Sequence, residues 1–108
     1  MLKKIVSCGQ TGAERAALDV AIMFNIPHGG WILKDRITED GPLAVEYKLQ
    51  EMATGGYQAC AEQNVIDSDG TLIFSRGKPT GGTDYGRQIV AKHKKHLHHI
   101  NLNLVDLL

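Results

Sequence analysis

Apolar residues occur along this chain in short runs that alternate with helical periods, a pattern that is typical of βα proteins. The run over Lys3–Cys8 predicts a first strand, and the apolar spacing from Ala13 to about Asn25 predicts a helix. Thr71–Ser75 is strongly apolar and predicts a buried strand. Alternating strands and helices favour right-handed βαβ units and a mostly parallel sheet with helices on its faces.

The other predicted elements are shorter. Residues 34–56 are charged and irregular, with a short strand near 47–51, and a stretch of this kind is typical of a lid, a binding loop or an oligomer arm. Two more strands and two more helices complete the prediction: strands over Gly29–Leu33 and Leu97–Leu102, helices over Tyr57–Ile66 and Thr83–Lys95. We expect one domain over residues 1–108 with about four to five strands.

Composition narrows the function classes. Twelve basic residues balance twelve acidic ones among 108, so nothing indicates a nucleic-acid partner, which normally selects a basic surface. No apolar run approaches the ~20 residues that span a bilayer. Cys8 and Cys60 form neither a CxxC pair nor a disulfide framework. We therefore expect a cytoplasmic protein with reduced thiols and no membrane partner.

Two glycine turns carry the chemistry of interest. Gly9-Gln10-Thr11-Gly12 and Thr80-Gly81-Gly82-Thr83 each follow a predicted strand and precede a helix, with Thr83 as the expected N-cap of the second helix. Such a turn points backbone N–H groups at one spot, in front of the positive end of a helix dipole. Neither turn is a P-loop. Since both follow parallel strands, we expect them at one sheet edge as a joint anion site, although tight turns without a ligand would leave the same pattern.

Charged residues near the first turn have two interpretations each. Arg15 lies one helical turn before Asp19 and either pairs with it or reaches a bound phosphate. The segment around Lys34 and Arg36, which also holds Glu39 and Asp40, is either a solvated loop or closes over the same site. Cys8 stands before a helix N-terminus, but without a neighbouring base we expect a buried cysteine at a strand end.

No metal site is expected. Four of the five histidines cluster over residues 93–99, but their spacing matches no zinc pattern and strand neighbours point to opposite faces. Asn64, Asp67 and Asp69 precede Gly70, the glycine before the predicted strand Thr71–Ser75. Helix-end and turn chemistry explains them, with contact to a sugar hydroxyl or a divalent ion as the alternative.

The segment over residues 7–19, Ser-Cys-Gly-Gln-Thr-Gly-Ala-Glu-Arg-Ala-Ala-Leu-Asp, resembles the Ser-Gly-Gly-Gln-Thr-Gly-x-Asp-Arg-Ala-Ala-Leu-Asp signature of the putative molybdenum carrier family. That family is similar to a circularly permuted branch of the Rossmann-like superfamily that contains the lysine-decarboxylase-like phosphoribohydrolases. The resemblance continues in order through residues 26–31, 39–42, 64–65, 67–71 and 80–83. Cys8 and Glu14 depart from the signature, where glycine and aspartate stand.

The resemblance implies a Rossmann-like three-layer α/β sandwich, a homo-oligomer, and binding of a nucleotide or of the molybdenum cofactor (molybdopterin), a pterin that carries a phosphate. Relatives usually carry a further strand–helix portion, so the sequence leaves a truncated domain open. Carried over by position, the resemblance implies that eight residues line the pocket: Gly9, Gln10, Thr11, Gly12, Arg15, Gly81, Gly82 and Thr83. Lys34 and Arg36 are added as candidates because they lie in the charged loop directly after the second predicted strand.

Three functions remain open at this stage. The first is a non-catalytic binder or carrier of a phosphate-bearing small molecule. The second is an N-glycosidase of nucleoside 5'-monophosphates, as the phosphoribohydrolase resemblance implies. The glutamate that those enzymes place after their glycine turn is missing here, and Asp84 or Glu39 would have to replace it. The third is a scaffold in which the glycine turns only build the fold.

Overall fold

A computed structural model describes residues 2–102 of the chain. The chain divides into two compact units, Met1–Asn64 and Val65–Leu108, so the predicted single domain over 1–108 extends beyond the described residues and stays a prediction. The first unit holds β1 (Ile5–Val6), α1 (Ala13–Met23), β2 (His28–Gly29), β3 (Trp31–Ile32), β4 (Ile37–Thr38), β5 (Gly41–Pro42) and β6 (Gln50–Glu51). Helix α2 (Tyr57–Ile66) crosses the boundary, and β7 (Gly70–Ser75), α3 (Gly81–Lys92) and β8 (His96–Asn101) follow.

In the first unit, β1 pairs in parallel with β2, β3 pairs in parallel with β6, and β4 and β5 form an antiparallel hairpin. The strand predicted over Gly29–Leu33 is divided at Gly30, whose φ of 118° belongs to no regular strand. An added Cβ at Gly30 would lie 2.7 Å from the carbonyl oxygen of Ser7. The close approach of the two backbones therefore requires glycine and interrupts the strand.

Leu18 of α1 packs in the core of the first unit together with Ile32, Leu43 and Leu49, and half-buried Tyr47 lies against them. The apolar spacing over residues 13–25 predicts a broad apolar face on α1, and the face that is buried is narrower. Leu18 and Ala21 are buried, whereas Ile22 and Phe24 are exposed. The helix ends at Met23, close to the predicted Asn25, which adopts a left-handed φ of 55°.

In the second unit, β7 and β8 run parallel in a six-residue register from Gly70↔His96 to Ser75↔Asn101. Val65, Ile89 and Val90 form the core, with Tyr85 packed against it. The apolar spacing over residues 83–95 predicts Tyr85, Ile89 and Val90 on the inward face of α3, and this is confirmed. The predicted N-cap was wrong, because α3 begins at Gly81 behind the extended residue Thr80 and Thr83 lies inside the first turn.

The described chain is thus mixed α/β, with three helices and three parallel strand pairs within residues 2–102. A single sheet of four to five strands is not seen there, because the strands form two-stranded pairs. The three-layer arrangement and the sheet size stay predictions. Within the described range, no helix has the length and apolar character needed to cross a membrane.

Candidate functional site

The Gly9–Gly12 turn connects β1 to α1 and has a backbone that only glycine adopts easily at its start. Gly9 has a φ of 71° and is buried. A Cβ there would lie 3.1 Å from the methyl groups of both Leu43 and Leu49. The turn therefore rests directly on the core of the first unit, which fixes its position.

Ser7 fastens the turn to the helix that follows. Its hydroxyl donates to the carbonyl oxygen of Glu14 at 2.9 Å and accepts from the N–H of Gly9 at 3.1 Å. Gly12 precedes α1 without a side-chain cap, and its carbonyl accepts the N–H of Ala16 at 3.0 Å. The positive end of the α1 dipole faces the turn because the turn directly precedes the first residue of the helix, and no side chain caps the helix there.

A carboxylate of the chain already lies on this turn. Thr11 donates twice to Glu39 Oε1, from its backbone N–H at 3.2 Å and from its hydroxyl at 2.7 Å. Glu39 comes from the tip of the β4–β5 hairpin, which the sequence interpretation treated mainly as solvated loop. The two donors of Thr11 thus converge on one negatively charged oxygen.

The side chain of Gln10 is hydrogen-bonded to the same β4–β5 hairpin. Its side chain is buried, its amide nitrogen donates to the carbonyl oxygen of Ile37 at 3.2 Å, and its amide oxygen accepts the N–H of Glu39 at 3.2 Å. The side chain of Gln10 therefore positions Glu39 in this structure, while its backbone N–H faces the carboxylate of Glu14 at 3.2 Å.

Arg15 lies beside the turn but does not pair with Asp19, so that alternative was wrong. Its Nε donates to the carbonyl oxygen of Gly9 at 2.9 Å, and its terminal nitrogens meet the two oxygens of Asp40 at 3.1 and 3.4 Å. Hydrogen bonding to Arg15 lowers the pKa of Asp40 to about 2. The competing carboxylate, Asp19, accepts the hydroxyl of Tyr47 at 2.6 Å instead.

Glu14 is a half-buried carboxylate under the turn. It accepts a hydrogen bond from the hydroxyl of Tyr57, the first residue of α2. Burial raises the pKa of Glu14 above its ordinary value, against the opposing effect of that hydrogen bond. Burial, followed by the contact with Glu14, raises the pKa of Tyr57. The sequence interpretation missed Tyr57, since a lone tyrosine at a helix start carries no local signal.

Arg36 has a structural role in the charged loop. Its guanidinium donates to the carbonyl oxygens of Leu43 at 3.2 Å, Ala44 at 2.7 Å and Tyr47 at 2.8 Å. Lys34 is exposed. The predicted contribution of both cations to a ligand site is not tested by this geometry and stays a prediction.

The second glycine turn is open at its helix end. The N–H groups of Gly81, Gly82 and Thr83 have no acceptor among residues 2–102. The N–H of Asp84 donates to the carbonyl oxygen of Thr80 at 3.3 Å, and its carboxylate pairs with Arg87 at 2.9 Å. The turn thus offers three consecutive backbone donors at the start of a twelve-residue helix.

A buried polar cluster joins the end of β1 to α2. The sulfurs of Cys8 and Cys60 lie 2.7 Å apart, and Asn64 Nδ2 lies 3.1 Å from Cys8 Sγ. Asn64 also accepts the N–H of Trp31 at 2.8 Å and donates to its carbonyl at 3.2 Å. Burial of Cys8 at a strand end is confirmed, but its partners are up to 56 residues away in sequence and no local pattern reveals them.

The histidines take separate contacts. His28 Nε2 accepts the N–H of Lys48 at 3.0 Å, and His99 Nε2 lies 2.6 Å from the hydroxyl of Ser75. Across the described positions, no three His, Cys, Asp or Glu side chains come together as a metal site would require. Asn64 contacts the backbone of Trp31, and its alternative role in contacting a sugar hydroxyl or an ion stays a prediction.

Comparison with known proteins gives two matches. Residues 5–106 match the model of the circularly permutated YpsA SLOG family. The chain is also similar to the crystal structure of a putative molybdenum carrier protein from Syntrophus aciditrophicus SB, with 48% identity and a TM-score of 0.94. The alignment covers 97% of this chain and 66% of that one, so the chain spans slightly less than two thirds of that relative's length. No curated protein matches it.

Proposed function

Because this chain belongs to the circularly permutated YpsA SLOG family, we propose that it binds a phosphate-bearing small molecule at the Gly9–Gly12 turn. The name of the similar crystal structure, a putative molybdenum carrier protein, makes the molybdenum cofactor the first candidate, through the phosphate of its pterin. A nucleotide is the second candidate, because its phosphate would use the same donors. The role is that of a binder or carrier.

One observation carries this proposal. The backbone N–H and the hydroxyl of Thr11 converge on a single carboxylate oxygen of Glu39, at 3.2 and 2.7 Å. Donors that already hold one oxyanion at the amino end of α1 have the geometry that a phosphate oxygen needs. On binding, the phosphate takes the place of Glu39, and the hairpin tip moves aside.

Arg15 is the cation that we assign to the phosphate. It is held beside the turn by the carbonyl of Gly9 and faces outward to the exposed carboxylate of Asp40. A planar guanidinium that pairs with a carboxylate through two nitrogens can exchange that partner for phosphate with the same fork geometry. The wider predicted set, Gly81, Gly82, Thr83, Lys34 and Arg36, stays a prediction that single alanine or serine variants would test.

The experiment is calorimetric titration of the full chain with molybdopterin, a nucleoside monophosphate and inorganic phosphate. Arg15→Ala should weaken binding by roughly ten- to a hundredfold, which corresponds to about 1.5–3 kcal/mol for a lost charge-assisted hydrogen bond. Lys3→Ala is the matched control, because Lys3 is exposed and precedes the opposite end of β1. Equal affinities in the two variants would remove Arg15 from the site, and absence of binding to all three ligands would favour the scaffold.

Two further measurements complete the test. Native mass spectrometry of freshly purified protein would reveal a co-purified small molecule and would also report the oligomeric state, since the homo-oligomer stays a prediction. Incubation with nucleoside monophosphates tests the N-glycosidase alternative. Release of free base would contradict a purely non-catalytic role.

A further inference from the structure

Cys8 and Cys60 are the two cysteines of the chain, and the fold brings them together from positions 52 residues apart. Their sulfurs lie 2.7 Å apart, and both side chains are at most 3% exposed. A disulfide bond is about 2.05 Å long, so the two sulfurs need to approach by only about 0.7 Å to form one.

The geometry argues against a shared metal ion. Two thiolates on a tetrahedral zinc, each about 2.3 Å from the metal, would hold their sulfurs roughly 3.7 Å apart. The observed separation is an ångström shorter. Two polar groups of the described residues also lie against the pair: the carbonyl of Trp31, 2.7 Å from Cys60 Sγ, and the amide nitrogen of Asn64, 3.1 Å from Cys8 Sγ.

We propose that Cys8 and Cys60 are an oxidant-sensitive pair that closes to an internal disulfide when the protein meets a peroxide. The peroxide transfers one oxygen to a sulfur, which gives a sulfenic acid and releases one water. The second sulfur attacks the first, the S–S bond forms, and the hydroxyl leaves as a second water. Two thiols lose two protons and two electrons, and the peroxide accepts them.

The surroundings of Cys8 and Cys60 determine how fast peroxide oxidises the two thiols. The hydrogen bond with Cys60 and then burial raise the pKa of the Cys8 thiol, so Cys8 holds its proton at neutral pH. Since the thiolate is the reactive form and the site is closed to solvent, oxidation waits for local opening of the structure. The pair therefore responds to sustained oxidant more than to a brief pulse.

The disulfide would lie directly before the Gly9–Gly12 turn and tie it to α2. It would close a loop of about fifty residues, and a loop of that length gives an entropic stabilisation that raises the thermal midpoint of a chain of this size by roughly 15–20 °C. This inference is independent of the proposed ligand, because it concerns the chain's own thiols.

The experiment treats the native full chain with hydrogen peroxide for increasing times. We expect an intact-mass species that has lost two hydrogen atoms, a Cys8 peptide linked to a Cys60 peptide in a non-reducing digest, and a raised thermal midpoint that dithiothreitol reverses. Cys60→Ser is the control, since it keeps Cys8 and the methionines but cannot close the bridge. It should only gain oxygen, on the methionines and on Cys8, and should show no loss of two hydrogen atoms.

Three results would overturn the proposal. The first is that both thiols of the wild-type chain are still titratable after the methionines have oxidised. The second is that the cysteines are oxidised to sulfinic acids and no bridged peptide forms. The third is that the thermal midpoint of Cys60→Ser rises as much as that of the wild type. The bridged peptide is read from the wild-type chain, so the test stands even where the variant folds poorly.

Discussion

Replacement of Glu39 by glutamine gives the sharpest test of the proposed site. Glu39 Oε1 holds both donors of Thr11 and occupies the place that we assign to a phosphate oxygen. Glutamine keeps the length and shape of the side chain and retains an oxygen acceptor, but it removes the negative charge. We therefore expect Glu39→Gln to bind phosphate more tightly than the wild type.

The magnitude follows from two effects. Loss of an exposed charged contact removes a competitor worth about 0.2–1 kcal/mol. Two unit charges 4 Å apart in water interact by about 1 kcal/mol, and that repulsion between Glu39 and an incoming phosphate also disappears. Together they give about 1–2 kcal/mol, or roughly a five- to thirtyfold lower Kd at low ionic strength, and less in salt because the charges are exposed.

The assay is calorimetric titration with inorganic phosphate and with a nucleoside monophosphate, at low and moderate salt. Glu46→Gln is the matched control, because Glu46 is an exposed glutamate in the same unit and makes no hydrogen bond to the turn. An unchanged or weaker phosphate affinity in Glu39→Gln, with Glu46→Gln equal to wild type, would refute the idea that Glu39 and phosphate compete for Thr11.

Three further predictions concern stability, each read by urea unfolding. Gly30→Ala should lower the free energy of unfolding by about 2 kcal/mol or more, since the φ of Gly30 is 118° and an added Cβ would contact the backbone of Ser7. Gly56→Ala is the control and should lower it little, because a Cβ at Gly56 would lie in open space. Asn64→Leu should lower the free energy of unfolding by about 2 kcal/mol or more, because the N–H and the carbonyl of Trp31 lose their hydrogen bonds to the Asn64 carboxamide. Gln58→Leu, at an exposed position of the same helix, should not lower it. Because burial raises the pKa of Glu14 from 4.5, the folded state holds this proton more tightly, so stability should fall as pH rises from 4.5 through the folded pKa. Glu14→Gln should lack that part of the slope, and an identical slope in the variant would exclude Glu14 as its source.

Long periodic elements of this fold were predictable from the sequence. Helix α2 has the predicted bounds Tyr57–Ile66, and β7 begins one residue before the predicted strand. The start of α3 was predicted two residues late, because Thr80 and Thr83 are equally good caps in the sequence and only the backbone distinguishes them. The short strands β3 and β6 lie within the strands predicted over Gly29–Leu33 and near residues 47–51. The hairpin strands β4 and β5 were missed, because two residues are too few to leave a periodic pattern.

The Gly9–Gly12 turn of the candidate site was predictable from the sequence, but the residues that contact this turn were not. The spacing of Gly9 and Gly12 after an apolar run locates the strand-to-helix corner, since few other sequences allow it. Glu39, Asp40 and Tyr57 reach that corner from 25 to 43 residues away. Their contacts depend on how the hairpin and α2 fold back, which charge patterns along the chain do not encode.

The carboxamide of Asn64 has a consequence for how this fold tolerates change. It meets the N–H and the carbonyl of Trp31 together, as a neighbouring strand would. Apolar contacts let a helix slide along a sheet with little loss, whereas hydrogen bonds fail when donor and acceptor shift by a fraction of an ångström. Asn64 therefore fixes the position of α2 along its axis, so the placement of Cys60, one helical turn earlier, depends on this contact more than on the outer residues of the helix.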